Sequence, residues 1–478
     1  MASSDSLINL TLLHTNDLHG RVEQVVRIAT LVKQIRTEVK SKGGACFYFD
    51  AGDAEDTILL ESCLTRGSAM DVIMKGAGCD QITLGNAIPL RYGPQAIENL
   101  ANHFGKPLLC ANLTDSTGQI FKGLTPYVIE TIGDYKIGII GLTAPMSIYS
   151  IFFGSKPLQP VEIVPELIQR VRDAGAKTII VLSHIGSAAD INLSENVSGI
   201  DVIIGAHDHK RISPPLVVND TLIVQSGEHG QMLGRLDLVL DPQSGIVISH
   251  DGGLIPVGEE IRDDTDTLAV VAVEKERAQT LMRIEIGELL APVECLEVQE
   301  CSAGNLLADA LLAHVVGAQV AFVINGHWNG GLEAGVVTQG ELYAANRSAG
   351  NPARIELTGA QIKQFLVAAL KPENIARKIH PLRGRAVGMP HIAGMRVKVD
   401  DRNSDLVEIY VNGARMKPDD RFIVAGSDME FSEYLGYLVI PDEQINYEVP
   451  TILPEVVEEY IKQRSPLGRI PGNRIFKQ

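Results

Sequence analysis

Aspartate, asparagine and histidine residues stand at the ends of five short apolar runs in the first half of the chain. They are Asp17 and His19, Asp53, Asn86, His184, and His207 with His209. If the runs are strands of open α/β sheets, their carboxyl ends lie where sites in such folds assemble. Oxygen and nitrogen ligands in this mixture suit Zn, Mn, Fe or Co better than Ca or Mg. The pattern therefore predicts a transition-metal site.

The number of these side chains predicts two metal ions. Seven ligands are too many for one ion, and the carboxylate of Asp53 has two oxygens with which to bridge a pair. Two adjacent ions bind both ends of a phosphoryl displacement and supply a hydroxide. Each motif alone is weak evidence, because a single histidine at a strand exit is more often a structural hydrogen-bonding residue. Together and in order, the five motifs predict hydrolysis of a phosphate ester, diester or anhydride.

The elements that position these residues alternate between strands and helices. Apolar runs within 45–53, 136–145 and 178–186 are continuous, which is typical of strands buried on both faces. Between such runs, residues 22–39 and 161–176 carry apolar side chains at helical spacing. The first half of the chain is therefore predicted to be a layered α/β domain.

The residue pattern and the charge of the sequence change near residue 258. A charged helical stretch follows, and it is typical of a helix that connects domains. A second α/β pattern then begins, and it is not a repeat of the first. We therefore predict a metal-binding domain at 1–257, a linker helix at 258–284 and a second α/β domain at 285–478.

Composition excludes some partners. The 478 residues carry a net charge of −17, which argues against a nucleic-acid scaffold or an anionic membrane surface as partner. It does not exclude an anionic substrate, because bound metal ions invert the local field. We expect a small phosphorylated substrate, no nucleic acid and no membrane, and the sequence leaves the oligomeric state open.

The cysteines and the N-terminus point to a reducing compartment. None of the six cysteines forms a CxxC pair, so free thiols are expected rather than disulfides. No apolar stretch is long enough to span a bilayer. The N-terminus has no basic region, and its apolar run leads directly into Asp17. A cytoplasmic location is expected, although a chain trimmed of a leader would look the same.

The same motifs carry a family resemblance. LLHTNDLHG, DAGD, TLGN, LSHIG and GAHDH resemble, in this order, the motifs of the calcineurin-like metallophosphoesterases. The sequence is most similar to the 5'-nucleotidase branch, whose C-terminal substrate domain resembles SAGNLLADALL and AFVINGHWNGGLEAG. The resemblance covers nearly the whole chain. It implies a four-layer α/β/β/α metallophosphoesterase sandwich, a helical linker and a C-terminal α/β substrate domain.

The resemblance also implies how the ligands divide between two divalent ions. Asp53 is shared and the other ligands fall into two sets. One ion is bound by Asp17, His19, Asp53 and His209, and the other by Asp53, Asn86, His184 and His207. The implied reaction is hydrolysis of the 5'-nucleotidase or cyclic-phosphodiesterase type by metal-activated water.

The chain departs from the family directly after the TLGN motif. The family has Gly-Asn-His followed by an acidic residue, and the histidine acts on the leaving group or on the transition-state charge. Here Ala87 and Ile88 stand in those two places. Three alternatives follow. The leaving group needs no proton; another residue, such as Glu228, His229 or His327, takes the role; or the protein is a metal-binding pseudoenzyme that senses a phosphorylated ligand.

The second domain departs from the family as well. In the family two aromatic rings sandwich the base, and by resemblance Met395 and Met429 stand in their places. The Gly-rich loop NGHWNGG lacks the family's arginine, which leaves Asn325 and Trp328 as its candidates for substrate contact. A tryptophan is more often packed in a core, and methionine grips a base less firmly than paired rings do. Nucleoside monophosphates are therefore expected to be poor substrates.

Overall fold

The structure is a computed structural model that describes residues 7–56, 59–379, 382, 385–400 and 407–477. Its residue contacts divide the chain into two compact units, Met1–Ala278 and Gln279–Gln478. Each unit has a hydrophobic core of its own. They are called unit 1 and unit 2 below.

The elements of unit 1 are numbered in chain order. Its strands are β1 Ile8–Thr15, β2 Ala45–Asp50, β3 Gln81–Ile82, β4 Leu108–Leu109, β5 Leu113–Thr114, β6 Leu124–Thr125, β7 Tyr127–Ile132, β8 Tyr135–Thr143, β9 Lys156–Pro157, β10 Thr178–His184, β11 Val202–Ile204, β12 Arg211–Val218, β13 Thr221–Ser226, β14 Met232–Leu240 and β15 Val247–Pro256. Its helices are α1 Val22–Ser41, α2 Leu60–Leu64, α3 Ser68–Gly76, α4 Ala87–Tyr92, α5 Ile97–Phe104, α6 Ile148–Phe153, α7 Pro160–Asp173 and α8 Ser187–Asn196.

Two sheets pack face to face in unit 1. The first has the order β15-β14-β1-β2-β3 and the second the order β12-β13-β11-β10-β8-β7. Strands β1, β2 and β3 are parallel, as are β8, β10, β11 and β13. Leu10 and Leu12 of the first sheet share one buried core with Leu182 and Ile204 of the second. Apolar side chains thus fill the space between the sheets.

Helices cover the outer face of each sheet. Helix α1 buries Val25, Val32 and Val39 on one stripe and packs with α3 and α5 against the first sheet. Helices α7 and α8 cover the second sheet through residues such as Val171 and Leu193. Buried strands between amphipathic helices are the pattern expected from the sequence. The predicted four-layer α/β/β/α arrangement is confirmed.

Unit 2 is also built of sheets and helices. Its strands are β16 Glu285–Leu289, β17 Val320–Ile324, β18 Gly335–Thr338, β19 Pro352–Thr358, β20 Pro390–Ala393, β21 Met395–Val399, β22 Val407–Val411, β23 Ala414–Arg415, β24 Arg421–Ser427, β25 Asn446–Tyr447 and β26 Ile475–Lys477. Helix α9, Thr265–Met282, leads into it, and its own helices are α10 Ser302–His314, α11 Gln339–Ala345, α12 Gly359–Ala369, α13 Pro372–Ile375, α14 Asp428–Phe431 and α15 Leu453–Arg464. The main sheet has the order β20-β17-β24-β19-β25, and a second has the order β23-β22-β21-β26.

The division between the units falls inside α9, and Val271 of this helix packs in the core of unit 1. The predicted linker at 258–284 contains the helix, and the exact domain limits stay predictions. The six cysteines are free, as expected. Among the described residues, none of the helices combines the length and apolar character needed to cross a membrane.

The packing of β10 between two layers can be tested by creating a cavity. Ile180 is fully buried, so Ile180→Ala should destabilise unit 1 by about 2–5 kcal/mol. Val217→Ala removes two methyl groups from a residue that is 55% exposed and should change stability by less than about 0.5 kcal/mol. Urea unfolding followed by circular dichroism measures both, and equal effects would contradict the layer order.

Candidate metal centre

The loops after the strands of unit 1 bring the predicted ligands together. Strand β1 ends just before Asp17, β2 ends just before Asp53, and β10 ends at His184. The first two loops are joined directly, because the backbone N–H of Asp17 donates to the Gly52 carbonyl oxygen at 2.9 Å. The site therefore stands at the carboxyl ends of the parallel strands.

Two groups of ligand atoms form at this edge. Asp17, His19 and His209 offer atoms that all lie within 4.8 Å of one another, and so do Asp17, Asp53 and His184. The carboxylate common to both groups is Asp17, whereas the family resemblance implies Asp53 as the bridge. The bridging role of Asp53 stays a prediction.

The other two predicted ligands lie beside the second group. Asn86 Oδ1 is 3.2 Å from His184 Nε2, which is itself 3.3 Å from Asp53 Oδ2. The rings of His184 and His207 have centroids 5.2 Å apart. The structure thus places all seven residues in one cluster, and their roles as ligands stay predictions.

The carboxylate of Asp17 fits a bound cation. Its Oδ2 accepts hydrogen bonds from Asn16 Nδ2 at 2.7 Å and from the His207 N–H at 2.9 Å. Its Oδ1 is buried without a hydrogen-bond partner among the described residues and lies 3.4 Å from His209 Nε2. A buried oxygen without a partner is costly. A divalent ion shared with the neighbouring imidazoles would satisfy it.

The backbone of the site is strained. Left-handed φ angles between 45° and 81° occur at Asp17, His19, Asp53, His207, His209 and His229. Such angles cost about 1–3 kcal/mol for a non-glycine residue and cluster at functional sites. The loops are therefore held in conformations that the surrounding fold imposes, and these conformations aim the side chains inward.

Hydrogen bonds fix the orientation of two histidine rings. His184 Nδ1 lies 2.8 Å from the Ala51 carbonyl oxygen, to which it donates, so Nε2 is left facing the cluster. His209 Nδ1 lies 2.6 Å from Glu228 Oε2, so its Nε2 faces Asp17. Such partners set the tautomer and raise the basicity of a ligating imidazole.

Asp53 and His184 shift one another's titration. Burial alone would lower the pKa of His184, but the charges of Asp53 and Asp17 outweigh it and raise the pKa to about 9. Burial alone would raise the pKa of Asp53, but His184 outweighs it and lowers the pKa to about 2. Both pKa shifts result from the attraction between the His184 cation and the Asp53 carboxylate. A pocket that stabilises positive charge beside the carboxylates of Asp53 and Asp17 suits a metal ion.

No acid or base side chain stands at position 87. Ala87 begins α4, and its N–H donates to Asp53 Oδ1 at 2.9 Å. Ile88 is buried in the core of unit 1, and a Cβ on Gly85 would lie only 2.0 Å from Asp53 Oδ1. Gly85 therefore has no room for a side chain beside Asp53, and Ile88 is enclosed in an apolar core in which a charged group would be costly.

Two of the three candidate replacements lie next to the cluster. The His229 ring centroid is 5.8 Å from that of His19 and 6.4 Å from that of His209. Glu228 contacts His209, as described above. His327 belongs to unit 2, where its ring is buried and hydrogen-bonded to Ser348 and Glu430.

The predicted substrate residues of unit 2 are mostly enclosed. Asn325 donates to the Leu296 carbonyl oxygen, and Trp328 is buried, as the core interpretation expects. Met395 is buried in the core of unit 2, and Met429 packs half-buried against it. The packing accounts for Met395 as a core residue. Contact of these four residues with substrate stays a prediction.

The sequence reasoning missed the buried polar residues behind the ligands. Asp190 Oδ1 accepts a hydrogen bond from Ser183 Oγ at 2.5 Å, directly before His184. Gln225 Nε2 donates to Asp208 Oδ1 at 3.0 Å, between the last two predicted ligands. Asp190 Oδ2 and Gln225 Oε1 are both buried without partners among the described residues, and both lie near Gly205. Each contact links residues of two different elements and forms only through the fold, so no repeating pattern in the sequence indicates it.

Comparisons with known proteins agree with this fold. Residues 285–438 match the family model for the 5'-nucleotidase C-terminal domain. The uncharacterized metallophosphoesterase YunD of Bacillus subtilis is 26% identical over 456 residues, which cover 94% of this chain and 98% of that protein. NAD nucleotidase of Haemophilus influenzae superposes with a TM-score of 0.62 at 17% identity, covering 99% of both chains. A 5'-nucleotidase precursor of Thermus thermophilus gives 0.55 at 21% identity, covering 98% of this chain and 99% of that chain.

Residues 285–438 therefore carry a 5'-nucleotidase C-terminal domain, and the chain as a whole is similar to metallophosphoesterases and 5'-nucleotidases. The resemblance predicted from the motifs, to the 5'-nucleotidase branch of the calcineurin-like metallophosphoesterases, is confirmed. These similarities support hydrolase activity and the binding of divalent metal.

The buried acid behind the ligands predicts a pH-dependent stability. Burial raises the pKa of Asp190 to about 8, so the folded chain binds its proton more tightly than the unfolded chain. This contribution to stability is complete below about pH 4 and is lost as the pH rises through 8. Asp190→Asn mimics the neutral acid, so its stability relative to wild type should rise by a few kcal/mol between pH 4 and pH 9.

Urea unfolding at several pH values measures this difference. Asp220→Asn changes an exposed carboxylate of the same unit and serves as the control. A constant difference between Asp190→Asn and wild type across the range would show that Asp190 is ionised throughout.

Proposed function

We propose that this chain hydrolyses small phosphoric esters or anhydrides whose leaving group departs without a proton, using two divalent metal ions in unit 1. The observation that carries the proposal is the pairing of an intact ligand cluster with a missing proton donor. Asp17 Oδ1 is buried without a hydrogen-bond partner among the described residues, so it is available to bind a cation. Position 87, at the start of α4, is an alanine. Similarity to a metallophosphoesterase and to the 5'-nucleotidase C-terminal domain supports the reaction class.

The two groups of side chains would hold one ion each. By the family resemblance, one ion would be held by Asp17, His19, Asp53 and His209. The other would be held by Asp53, Asn86, His184 and His207. When bound, such ions supply Lewis acidity and an activated water at neutral pH. The mixture of imidazole, carboxylate and amide ligands favours Zn, Mn, Fe or Co.

The chain's own contribution is to hold these ligands before metal arrives. Asn16 and the N–H of His207 fix one oxygen of Asp17, which turns the other toward the histidines. The Ala51 carbonyl oxygen fixes the ring of His184, and Glu228 fixes that of His209. A cluster held in this way loses little conformational freedom when it binds an ion.

The absence of a donor at position 87 shapes the substrate class. General acid catalysis contributes about 10²–10⁴-fold when a basic alkoxide must leave. An aryl oxide or a phosphate leaves as a stable anion and gains little from it. Nucleotides remain candidate substrates where the bond broken is an anhydride, and two of the similar structures are named as nucleotidases.

The absence of a proton donor at Ala87 also favours a second candidate function. A cluster that binds metal without a donor could serve a pseudoenzyme that senses a phosphorylated ligand. Turnover of a broad panel of phosphate compounds, with metal added, separates the two functions. Measurable metal-dependent turnover supports the enzyme, and binding without turnover supports the sensor.

The metal content follows from the ligand cluster. Elemental analysis of protein loaded with Mn or Zn should approach about two ions per chain, as expected for paired sites. If Asp53 is the bridge, Asp53→Ala should lose both ions. Asp220→Ala, at an exposed carboxylate, should keep both.

Asp17 is an alternative bridging ligand, because its carboxylate belongs to both groups of ligand atoms. Loss of both ions in Asp17→Ala, with one ion kept in Asp53→Ala, would assign the bridge to Asp17 instead. Circular dichroism of each variant confirms that the fold is intact.

The leaving-group preference follows from Ala87. Wild type should hydrolyse para-nitrophenyl phosphate and pyrophosphate-type bonds, and AMP should be slower by about 10²–10⁴-fold because its leaving alkoxide needs a proton. Ala87→His should raise the rate on AMP more than the rate on the aryl ester. A paired Ile88→Asp change would orient the new ring, but Ile88 is buried and a carboxylate there would destabilise the core.

Efficient hydrolysis of AMP by the wild-type chain would contradict the proposed leaving-group preference. It would show that another donor acts, and His229→Gln should then lower that rate. His250→Gln, at an exposed histidine of β15, is the control. Absence of turnover on aryl esters with Mn, Zn, Co and Fe would leave the sensor as the function.

A further inference from the structure

Unit 2 contains a serine, a histidine and a glutamate joined by hydrogen bonds, separate from the metal cluster. Ser348 Oγ lies 2.7 Å from His327 Nδ1. On the other side of the ring, His327 Nε2 lies 3.2 Å from Glu430 Oε1. A hydroxyl that donates to a ring nitrogen, with a carboxylate on the second nitrogen, is the arrangement of a nucleophile, its base and the group that orients the base.

Neighbouring elements of the sheet bring the three residues together. His327 lies in the short turn that follows β17, and Glu430 lies in α14, which follows β24. Strands β17 and β24 are parallel neighbours, so both residues leave the sheet at the same edge. Ser348 lies in the segment between α11 and β19, flanked by the exposed Arg347 and Ala349. Ser348 itself is buried, with 8% of its surface exposed.

Glu430 is held as a carboxylate. Its Oε1 accepts from the Ile324 N–H at 3.0 Å, and its Oε2 accepts from Ser427 through both the N–H and the hydroxyl. Burial alone would raise the pKa of Glu430, but His327 and these donors outweigh burial and lower it. With Glu430 ionised, His327 carries its proton on Nε2 and leaves Nδ1 free to accept from Ser348.

A donor without a partner lies beside the serine. Asn346 Oδ1 accepts from the Ser348 N–H at 3.1 Å, while the Nδ2 of the same side chain is buried without a partner among the described residues. A buried amide N–H costs free energy until it is satisfied. A free amide N–H close to a nucleophile in the chain is the kind of donor that stabilises the negative oxygen formed when a carbonyl is attacked.

The other side of the serine carries an acid. Gly350 packs against both groups, because a Cβ built on it would lie 3.2 Å from Ser348 Oγ, 3.1 Å from Asp428 Oδ1 and 3.4 Å from His327 Cε1. Asp428 Oδ1 is also buried without a partner among the described residues. An anionic substrate would be repelled here, so the site suits an uncharged compound with a hydrogen-bond donor.

We propose that Ser348 and His327 form a second catalytic centre, which hydrolyses small uncharged carboxylic esters. Ser348 Oγ bonds to the ester carbonyl carbon while its proton passes to His327 Nδ1. The carbon–oxygen bond of the ester then breaks, and the alcohol leaves with that proton. Water attacks the acyl-serine, gives one proton to His327 and releases the carboxylic acid, after which Ser348 recovers its proton. The net reaction consumes one ester and one water.

The test uses the full chain treated with a chelator, so that the metal cluster cannot contribute. Diisopropyl fluorophosphate should add to the protein once per chain, and peptide mass spectrometry should place the adduct on Ser348. Para-nitrophenyl acetate hydrolysis should persist in chelator and be lost in Ser348→Ala. His327→Gln should slow labelling by about 10²-fold or more, because the base is removed.

Two further variants keep the result interpretable. Ser432→Ala removes a hydroxyl that donates to the Met429 carbonyl oxygen instead, and it should label like wild type. Ser348→Cys retains a nucleophile beside His327, and iodoacetamide should modify it. A folded wild type that takes no adduct on Ser348, or labelling that His327→Gln leaves unchanged, would overturn the proposal and assign the three residues a structural role.

Discussion

The buried carboxylate of Asp17 is the charge on which the geometry of unit 1 depends. It stands at the end of β1 in the first sheet, yet its Oδ2 accepts the N–H of His207 from a loop of the second sheet. This hydrogen bond, together with that from His184 Nδ1 to the Ala51 carbonyl oxygen, joins the two sheets at the edge where the predicted ligands meet. The same carboxylate holds its other oxygen toward the histidines, so one side chain contributes both to the alignment of the sheets and to the readiness for a cation.

The parts of this structure that could be predicted from the sequence are those with a local signature. Parallel buried strands produce continuous apolar runs, and their exits carry the ligand residues, so the layers and the cluster followed from the pattern. Asp190 and Gln225 could not be found in this way, because a single aspartate in a helix or a single glutamine in a strand has no pattern that marks its hydrogen-bond partner. Met395 shows the opposite case, since the alternation of Met395, Val397 and Val399 along β21 already indicates a strand with one buried face.

Buried polar side chains are stabilised differently in the two units. In unit 1, carboxylates and imidazoles are crowded so that positive charge is favoured among them, as the opposed pKa shifts of Asp53 and His184 show. In unit 2, the ionised carboxylate of Glu430 accepts hydrogen bonds from several donors and orients the ring of His327. The other ring nitrogen of His327 faces the neutral hydroxyl of Ser348. The first arrangement suits a bound ion, and the second suits proton transfer between side chains.

Gly85 restricts how the loop around the cluster can evolve. Any side chain at this position would meet Asp53 Oδ1, and a change at Asn86 would remove one of the clustered residues. Position 87 carries a small, half-buried residue whose contact with Asp53 uses only its backbone. A side chain can therefore be added at position 87 without dismantling the cluster. The choice of leaving group that a proton donor there would set is thus separable from the residues predicted to hold metal.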